Sequence, residues 1–397
     1  MATGSGIFQD RWKEVAAVFL KLGAMSYGGS AMLGIMQAEI AERRQWLTNE
    51  RYLDGVGLVN MLPGPPAVQL AIFIGYNRCG WRGGILAGLC FMLPAFLILL
   101  GLTLIYAAYG SIGVVQGALY GMGSVVLAIF AAAVYRLGRT ALQRPAQIAI
   151  AIVAAIFAAK TTIGIATTLL LAACAGVALY HSRLQGLAAA LVVVGFVALS
   201  HFVFPITNVA IAPGVIPSHD GASPSIMQLA GIFLKIGALT FGGGLAMVTL
   251  VQEQVVDQMH WLTSREFLDG LSLGQLTPGP TLMIAAYVGY KVAGLTGAAV
   301  SALAMFLPAF ILMLSLLPVL ERFRHLRWIT PAMSGVSAAV IGCLVVTLMQ
   351  LLPHAAPDTS SRFVLLITAL VLCRWRLPPL PLIVAAGLIG IAVQVTR

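Results

Sequence analysis

The chain has 397 residues, 60% of them hydrophobic and only 9% charged, with a formal net charge of +10. Soluble proteins carry roughly 25% charged residues, so the composition argues against a large soluble core, and no stretch is polar enough to form a sizeable domain outside a membrane. The basic excess is spread over short loops, with no basic run or interleaved aromatics that would serve nucleic acid, and reads instead as topology information.

In chain order, the amino terminus lacks the short apolar core and small-residue cleavage site of a signal peptide. A long apolar segment carrying Lys21 stands there instead, so the first helix is expected to stay. Apolar segments lie near residues 15–37, 53–77, 82–108, 113–135, 145–160, 163–181 and 185–204, then near 226–250, 267–291, 294–319, 331–352, 362–374 and 378–396. Runs such as 114–134 and 187–203 can cross a hydrocarbon core of about 30 Å as helices. The expected fold class is an all-α polytopic membrane protein of about thirteen segments. The five cysteines (Cys79, Cys90, Cys174, Cys343, Cys373) show no metal or redox spacing and act as small hydrophobes.

The chain repeats itself. "FLKLGAMSYGG" at 19–29 matches "FLKIGALTFGG" at 233–243, and "WLTNERYLDG" at 46–55 matches "WLTSREFLDG" at 261–270. "NMLPGPPAVQLAIFIGY" at 60–76 matches "QLTPGPTLMIAAYVGY" at 275–290, and "FMLPAF" at 91–96 matches "MFLPAF" at 305–310. The offset stays at 214 or 215, which divides the chain into a first repeat (1–205), a linker (206–225) and a second repeat (226–397).

Seven segments before the second repeat would turn it upside down, and loop charges test this. Under the positive-inside rule, short cytoplasmic loops collect Lys and Arg. In half one the loop after the third segment is uncharged and the next carries Arg136, Arg139 and Arg144. In half two the order is exchanged: Arg322, Arg324, His325 and Arg327 come first, and the next loop has little beyond Asp358 and Arg362. The expectation is inverted repeats with the amino terminus inside and the carboxy terminus outside. One misfit stands out, since Arg43, Arg44 and Arg51 fall in a loop that this scheme places outside. The sequence leaves open whether the first two segments of each repeat cross fully or re-enter.

Inverted repeats with helices interrupted by Gly and Pro are typical of transporters, whose sites lie near the midplane. Proline lacks an N–H and cannot continue a helix, but it starts one well. Each Pro-Gly-Pro therefore ends one helical piece and begins another, leaving N–H groups aimed at a buried space, which suits an anion. Half two offers the N–H groups of Thr281, Leu282 and Met283 with the hydroxyls of Thr277 and Thr281, around Pro278, Gly279 and Pro280. Half one offers Ala67 and Val68, with Asn60 nearby, around Pro63, Gly64 and Pro65. A plain kink or helix contact is the rival reading of these prolines.

Gly28-Gly29 and Gly242-Gly243-Gly244 make a second break in each half, following Ser26-Tyr27 and Thr240-Phe241, although glycine also serves simple helix contact. Lys21 and Lys235 are equivalent and are either interfacial or counter-charges for an anion. Glu39, Asp54 and Asp269 are candidates for proton coupling. Thr263 and Glu266 have capping-box spacing, while Thr48 and Arg51 do not. Gln37 and Gln252 correspond and read as polar glue between helices, and His260 and His325 sit in charged loops.

The ordered blocks "YGG…WLT…LDG…PGP…GY…LPAF" and "FGGG…WLT…LDG…TPGP…GY…LPAF" resemble the long, two-domain members of the chromate ion transporter family, over essentially the whole chain. The resemblance implies an inner-membrane permease that exports chromate and confers chromate resistance, driven by the proton gradient, with no bound cofactor and no metal. Its matched positions are Gly28, Gly29, Pro63, Gly64, Pro65, Gln69 and Tyr76, and in half two Gly242, Gly243, Gly244, Gln275, Thr277, Pro278, Gly279, Pro280 and Tyr290. Many long members carry Gly-Gly-Pro followed by a histidine in half one, whereas this chain reads Gly28-Gly29-Ser30-Ala31-Met32-Leu33. The residues themselves point to an anion; only the resemblance names chromate. The expected partners are the oxyanion, the lipid bilayer and a second copy of the chain as a homodimer, and not nucleic acid. Sulfate or an organic anion as substrate, or an anion channel, are the alternatives. An enzyme is not expected, because no nucleophile and base or metal cluster falls in the apolar segments. Cysteines introduced at Ser111 and Arg324 are expected to label from opposite sides of the membrane; labelling of both from one side would defeat the inverted reading.

Overall fold

The computed structural model describes residues 4–25, 29–160, 164–203, 225–240, 246–319, 328–375 and 377–395. Ser26, Gly28, Gly242, Gly243, Gly244, Arg322, Arg324, His325, Arg327 and the segment 206–224 of the expected linker lie outside them. Among the described residues the regular elements are all helices, joined by short turns. Half one contains α1 (Gly4–Ala24), α2 (Gly29–Gln37), α3 (Asn49–Met61), α4 (Pro66–Tyr109), α5 (Gly113–Ala141), α6 (Pro145–Lys160), α7 (Ile165–Tyr180) and α8 (Arg183–Val203). Half two contains α9 (Ile226–Ala238), α10 (Ala246–Val251), α11 (Ser264–Leu276), α12 (Ile284–Leu316), α13 (Ile329–Ala355), α14 (Thr359–Arg374) and α15 (Pro379–Val395). A π-helical stretch follows α2 (Ala38–Arg43) and α10 (Gln252–Gln258), at matching places in the two repeats.

Among the described residues four helices, α4, α5, α12 and α13, are long and apolar enough to cross a membrane by length and composition. Two of these are doubled back. In α4 the backbone leaves helical geometry at Cys79 (φ −141°) and Gly80 (φ 69°), and in α12 at Ala293 (φ −142°) and Gly294 (φ 64°). The left-handed φ is what glycine accepts without strain. After the turn the arms press together: a Cβ on Gly75 would stand 2.3 Å from the Gly83 carbonyl oxygen, and one on Gly289 would stand 2.2 Å from that of Gly297. Only Gly-against-Gly allows this approach.

The shorter helices also fold back. Gly55 of α3 faces Leu70 and Phe73 of the first arm of α4, and the Arg51 guanidinium lies 5.4 Å from the Phe73 ring centroid. The two pieces are therefore an antiparallel hairpin with Pro63-Gly64-Pro65 at its tip. Half two repeats this arrangement: Gly270 faces Tyr287, the Tyr287 hydroxyl donates to the Glu266 carbonyl at 2.9 Å, and Lys291 pairs with Glu266 at 2.8 Å. Thr263 caps α11 with the full reciprocal box, whereas Thr48 caps α3 by accepting the Arg51 N–H alone.

The arginine misfit has a structural explanation. Glu14 of α1 pairs with Arg44 at 3.3 Å and with Arg78 at 3.2 Å, and Arg44 also binds Glu39 at 2.7 Å. The chain leaves the Glu14 level along α1 and comes back to it through α2 and the π stretch. The loop bearing Arg43, Arg44 and Arg51 thus shares one end of the molecule with Arg78, and the assignment to opposite sides is corrected.

The halves interleave. The second arms of α4 and α12 cross at the centre, with Gly84 against Leu314 and Gly88 against Phe310, so they run antiparallel. Helices α6 and α7 of half one pack on α13 of half two, while α14 and α15 pack on α5. Close backbone contacts seal these exchanges, as between Gly176 and Pro331 and between Gly121 and Ala386. Helices α1 and α9 lie as tightly on the second arms: a Cβ on Gly23 would sit 2.3 Å from the Phe91 oxygen, and one on Gly237 would sit 2.0 Å from the Met305 oxygen. Gly237→Ala is therefore expected to lower stability in detergent by about 1–3 kcal/mol through overpacking. Gly274→Ala, with nothing within 4 Å of the added atom, should leave the unfolding midpoint unchanged or higher.

Candidate functional site

Both repeats place their Pro-Gly-Pro tip against the opposite half. Gly64 (φ 119°) and Gly279 (φ 124°) have a backbone that suits only glycine. A Cβ on Gly64 would meet the Ala309 methyl at 3.3 Å, and one on Gly279 would meet that of Ala95 at 2.4 Å. Ala95 and Ala309 belong to the Leu-Pro-Ala-Phe blocks of the two second arms. Each tip is therefore seated on the central helix of the other repeat. The Gly64 N–H also donates to the Thr240 carbonyl at 2.7 Å, which ties the first tip to the end of α9.

Helix geometry leaves donors at both tips. Pro66 opens α4 at its first position, and the first intrahelical bond is made by the Gln69 N–H to the Pro65 carbonyl at 3.0 Å. The N–H groups of Ala67 and Val68 precede it and have no partner within the helix. In half two a 3₁₀ turn, Thr281–Met283, comes first, and the Met283 N–H bonds to the Pro280 carbonyl at 3.0 Å. That leaves the N–H groups of Thr281 and Leu282, two per tip rather than the three expected in half two.

The side chains around the tips divide into braces and candidates. Gln69 is fully buried; its amide nitrogen donates to the Pro63 carbonyl at 2.5 Å, while Oε1 is buried without a hydrogen-bond partner. Its counterpart in half two is Met283, so the tips differ chemically. The Thr277 hydroxyl donates to Leu273 at 2.9 Å and that of Thr240 to Ile236 at 2.8 Å. Both hydroxyls retain lone pairs, but each has its hydrogen engaged by its own helix. Asn60 is exposed, and Gln275, Tyr76 and Tyr290 are half-buried. Gly29 opens α2, which places the end of the glycine break at the start of that helix.

Lys21 and Lys235 occupy the last turns of α1 and α9 and are exposed. The coupling candidates are separate from the tips. Glu39 sits in the arginine cluster, where the Arg44 guanidinium at 2.7 Å holds its carboxyl below the usual range. Asp54 is half-buried on α3. Asp269 is 6% exposed, accepts the Tyr106 hydroxyl at 3.2 Å and lies 3.4 Å from the Arg265 Nε. Tyr106 comes from α4, so this contact joins the halves, and its ring lies 5.8 Å from that of Tyr287. Neither tyrosine stands out in the sequence, because half one has Phe73 where half two has Tyr287. As expected, Gln37 bonds Asn49 (3.4 Å) and Gln252 bonds Gln350 (3.0 Å), linking helices in each half.

Two cavities of about 270 Å³ each lie against α13 and away from the tips. One is bounded by Thr140, Gln147, Ser334 and Ser337 and the other by Thr249, Gln252, Glu253 and Gln350. Replacing Gly279 by alanine should cost about 1–2 kcal/mol for the left-handed backbone and adds a clash with Ala95. The expected outcome is a lower unfolding midpoint than that of Gly57→Ala, where nothing lies within 4 Å. Equal midpoints would disprove the seating of the tip.

Comparison with known proteins follows the same division into two halves. The family profile described as Chromate transporter matches residues 13–179 and again 227–391. The chain is 32% identical over 387 residues to the Chromate transport protein of Cupriavidus metallidurans, covering 96% of this chain and 92% of that one. It is also 32% identical over 394 residues to the Probable chromate transport protein of Synechococcus elongatus, covering 96% and 95%. A half-length relative, the Uncharacterized transporter YwrA of Bacillus subtilis, is 30% identical over 166 residues, 40% of this chain and 91% of its own length. No solved structure matches the chain. Two profile matches in one polypeptide and near-complete coverage of long relatives make this chain a two-repeat member of the chromate transporter family.

Proposed function

We propose that the chain is a secondary transporter that exports chromate, a divalent oxyanion, across the inner (plasma) membrane and so confers chromate resistance, with the proton gradient as driving force. The observation that carries the reading is the seating of both Pro-Gly-Pro tips on the opposite repeat. This gathers four orphan N–H groups, from Ala67, Val68, Thr281 and Leu282, at the junction of the halves. Backbone donors at helix starts suit a compact oxyanion, and two tips on one junction suit alternate exposure by rocking of the repeats. The relatives that carry the name chromate transport protein supply the choice of anion.

The topology belongs to the same proposal. The two hairpins that open each repeat enter and leave on one side, so they are re-entrant. The full crossings are then the second arm of α4, helices α5 to α8, the second arm of α12, and α13 to α15. Five crossings in half one invert half two, which the antiparallel central arms support. This scheme puts Arg11, Lys13, Arg43, Arg44, Arg51, Arg78, Arg82, Arg136, Arg139, Arg144 and Arg374 on the cytoplasmic side, as the positive-inside rule asks. It keeps the amino terminus inside and the carboxy terminus outside. Lys21 lies about 10 Å along α1 from Glu14 at 1.5 Å per residue. An exposed ammonium at that depth is costly against lipid, so this face of α1 lines a water-filled approach to the tips.

The test is chromate uptake into proteoliposomes, with and without an imposed pH gradient, with sulfate as competitor, for the wild type and for Gln69→Met, which gives half one the residue of half two. Saturable, gradient-sensitive uptake that sulfate inhibits weakly, with a raised half-saturation concentration in Gln69→Met, is the expected result. Uptake of sulfate or an organic anion in place of chromate would move the substrate while leaving the site. Conductance without saturation would point to a channel.

A further inference from the structure

The second cavity described above, bounded by α6, α7, α10, the following π stretch and α13, is walled by acceptors. Thr249, Gln252, Glu253, Thr347 and Gln350 present hydroxyl, amide and carboxylate oxygens, Asp257 adds a second carboxylate, and among the described residues no Lys or Arg lines it. The local bonds leave acceptors rather than donors. Gln252 is 2% exposed and donates its amide hydrogen to Gln350, while its Oε1 is buried with no hydrogen-bond partner. The Thr249 hydroxyl donates to the Ala246 carbonyl at 2.7 Å, which leaves its lone pairs. Glu253 is oriented through one oxygen: Oε1 accepts the Ile165 N–H at the start of α7 at 2.9 Å and the Gln258 amide at 3.2 Å.

The other repeat meets the carboxylate of its own π stretch with arginines. Its π stretch, Ala38–Arg43, carries Glu39, and the protein supplies Arg43 at 3.2 Å and Arg44 at 2.7 Å as counter-charges. The π stretch of half two, Gln252–Gln258, carries Glu253 and Asp257 and no arginine; Gln258 and Met259 stand where Arg43 and Arg44 stand, Gln254 where Glu39 stands, and Glu253 where Ala38 stands, so the Glu253 carboxylate is new to half two. Lys235 on α9 is close enough for its charge to act on Glu253, but it is exposed and lies outside the cavity wall. The remaining group felt from α13 is the Cys343 thiol. A π-helical register often marks a functional site, and hard cations take carboxylate, amide and hydroxyl oxygens.

We propose that this cavity binds a small monovalent metal cation of the sodium class, held by Glu253, the unpaired Gln252 carbonyl and the hydroxyls of Thr249 and Thr347. The assignment does not depend on which anion is transported. Binding to the folded state alone raises the unfolding midpoint with ligand concentration. The test is therefore the thermal unfolding of the purified full-length protein in detergent, titrated with NaCl against choline chloride at equal ionic strength. The expected result is a saturable, sodium-specific rise, absent in Glu253→Gln and retained in Arg139→Gln. Direct binding of radioactive sodium to the wild type, weakened in Thr347→Val, keeps the proposal testable if Glu253→Gln does not fold. No sodium-specific rise, a rise with magnesium or calcium only, stabilisation by protons alone, or full retention in Glu253→Gln would each overturn it.

Discussion

In hydrocarbon a backbone N–H or C=O without a partner costs several kcal/mol, so a membrane chain can interrupt a helix only where protein or enclosed water takes over the lost bonds. The rest of this structure follows from where it accepts two such interruptions. Each Pro-Gly-Pro tip is turned away from lipid and set on the Leu-Pro-Ala-Phe helix of the opposite repeat, and the first is also tied to the Thr240 carbonyl. The orphan donors then lie where the two repeats meet. Burying the break protects the backbone, and it also brings the two helix starts together where the repeats meet.

Tight seating needs helices that approach without side chains between them. Glycine supplies this at the Gly75–Gly83 and Gly289–Gly297 reversals, at the contacts of α1 and α9 with the central arms, and between α7 and α13 and between α5 and α15. Apolar burial gives little preference for one helix partner over another when lipid is the alternative, so close backbone packing has to select the neighbours. Some of the selected neighbours are drawn from the other half, as between α7 and α13 and between α5 and α15, so the two repeats interleave.

Much of this was legible before any coordinates. The repeat, its offset and the segment limits could be read because the matching blocks are dense and the apolar runs long, and α5 to α8 fall close to the expected 113–135, 145–160, 163–181 and 185–204. The reversals were not legible: hydropathy measures how apolar a run is and not whether it turns back, so for residues 15–37 and 53–77 the sequence left crossing and re-entry open. The misplaced arginines carried the clue, and Glu14, which pairs Arg44 with Arg78, explains it. At the site, proline announced the tips. Their seats at Ala95 and Ala309 and the Tyr106 partner of Asp269 come from contacts far apart in sequence, which no local pattern encodes.

The interleaving also bears on how the chain is made. Helix α5 is synthesised early, but the helices that cover it, α14 and α15, are the last to leave the ribosome, while α6 and α7 wait for α13. The first repeat therefore enters the membrane with glycine-lined faces open to lipid or to other helices and is completed only when the second arrives. A chain of half the length has no second repeat to wait for, and the same faces can close only against a second molecule.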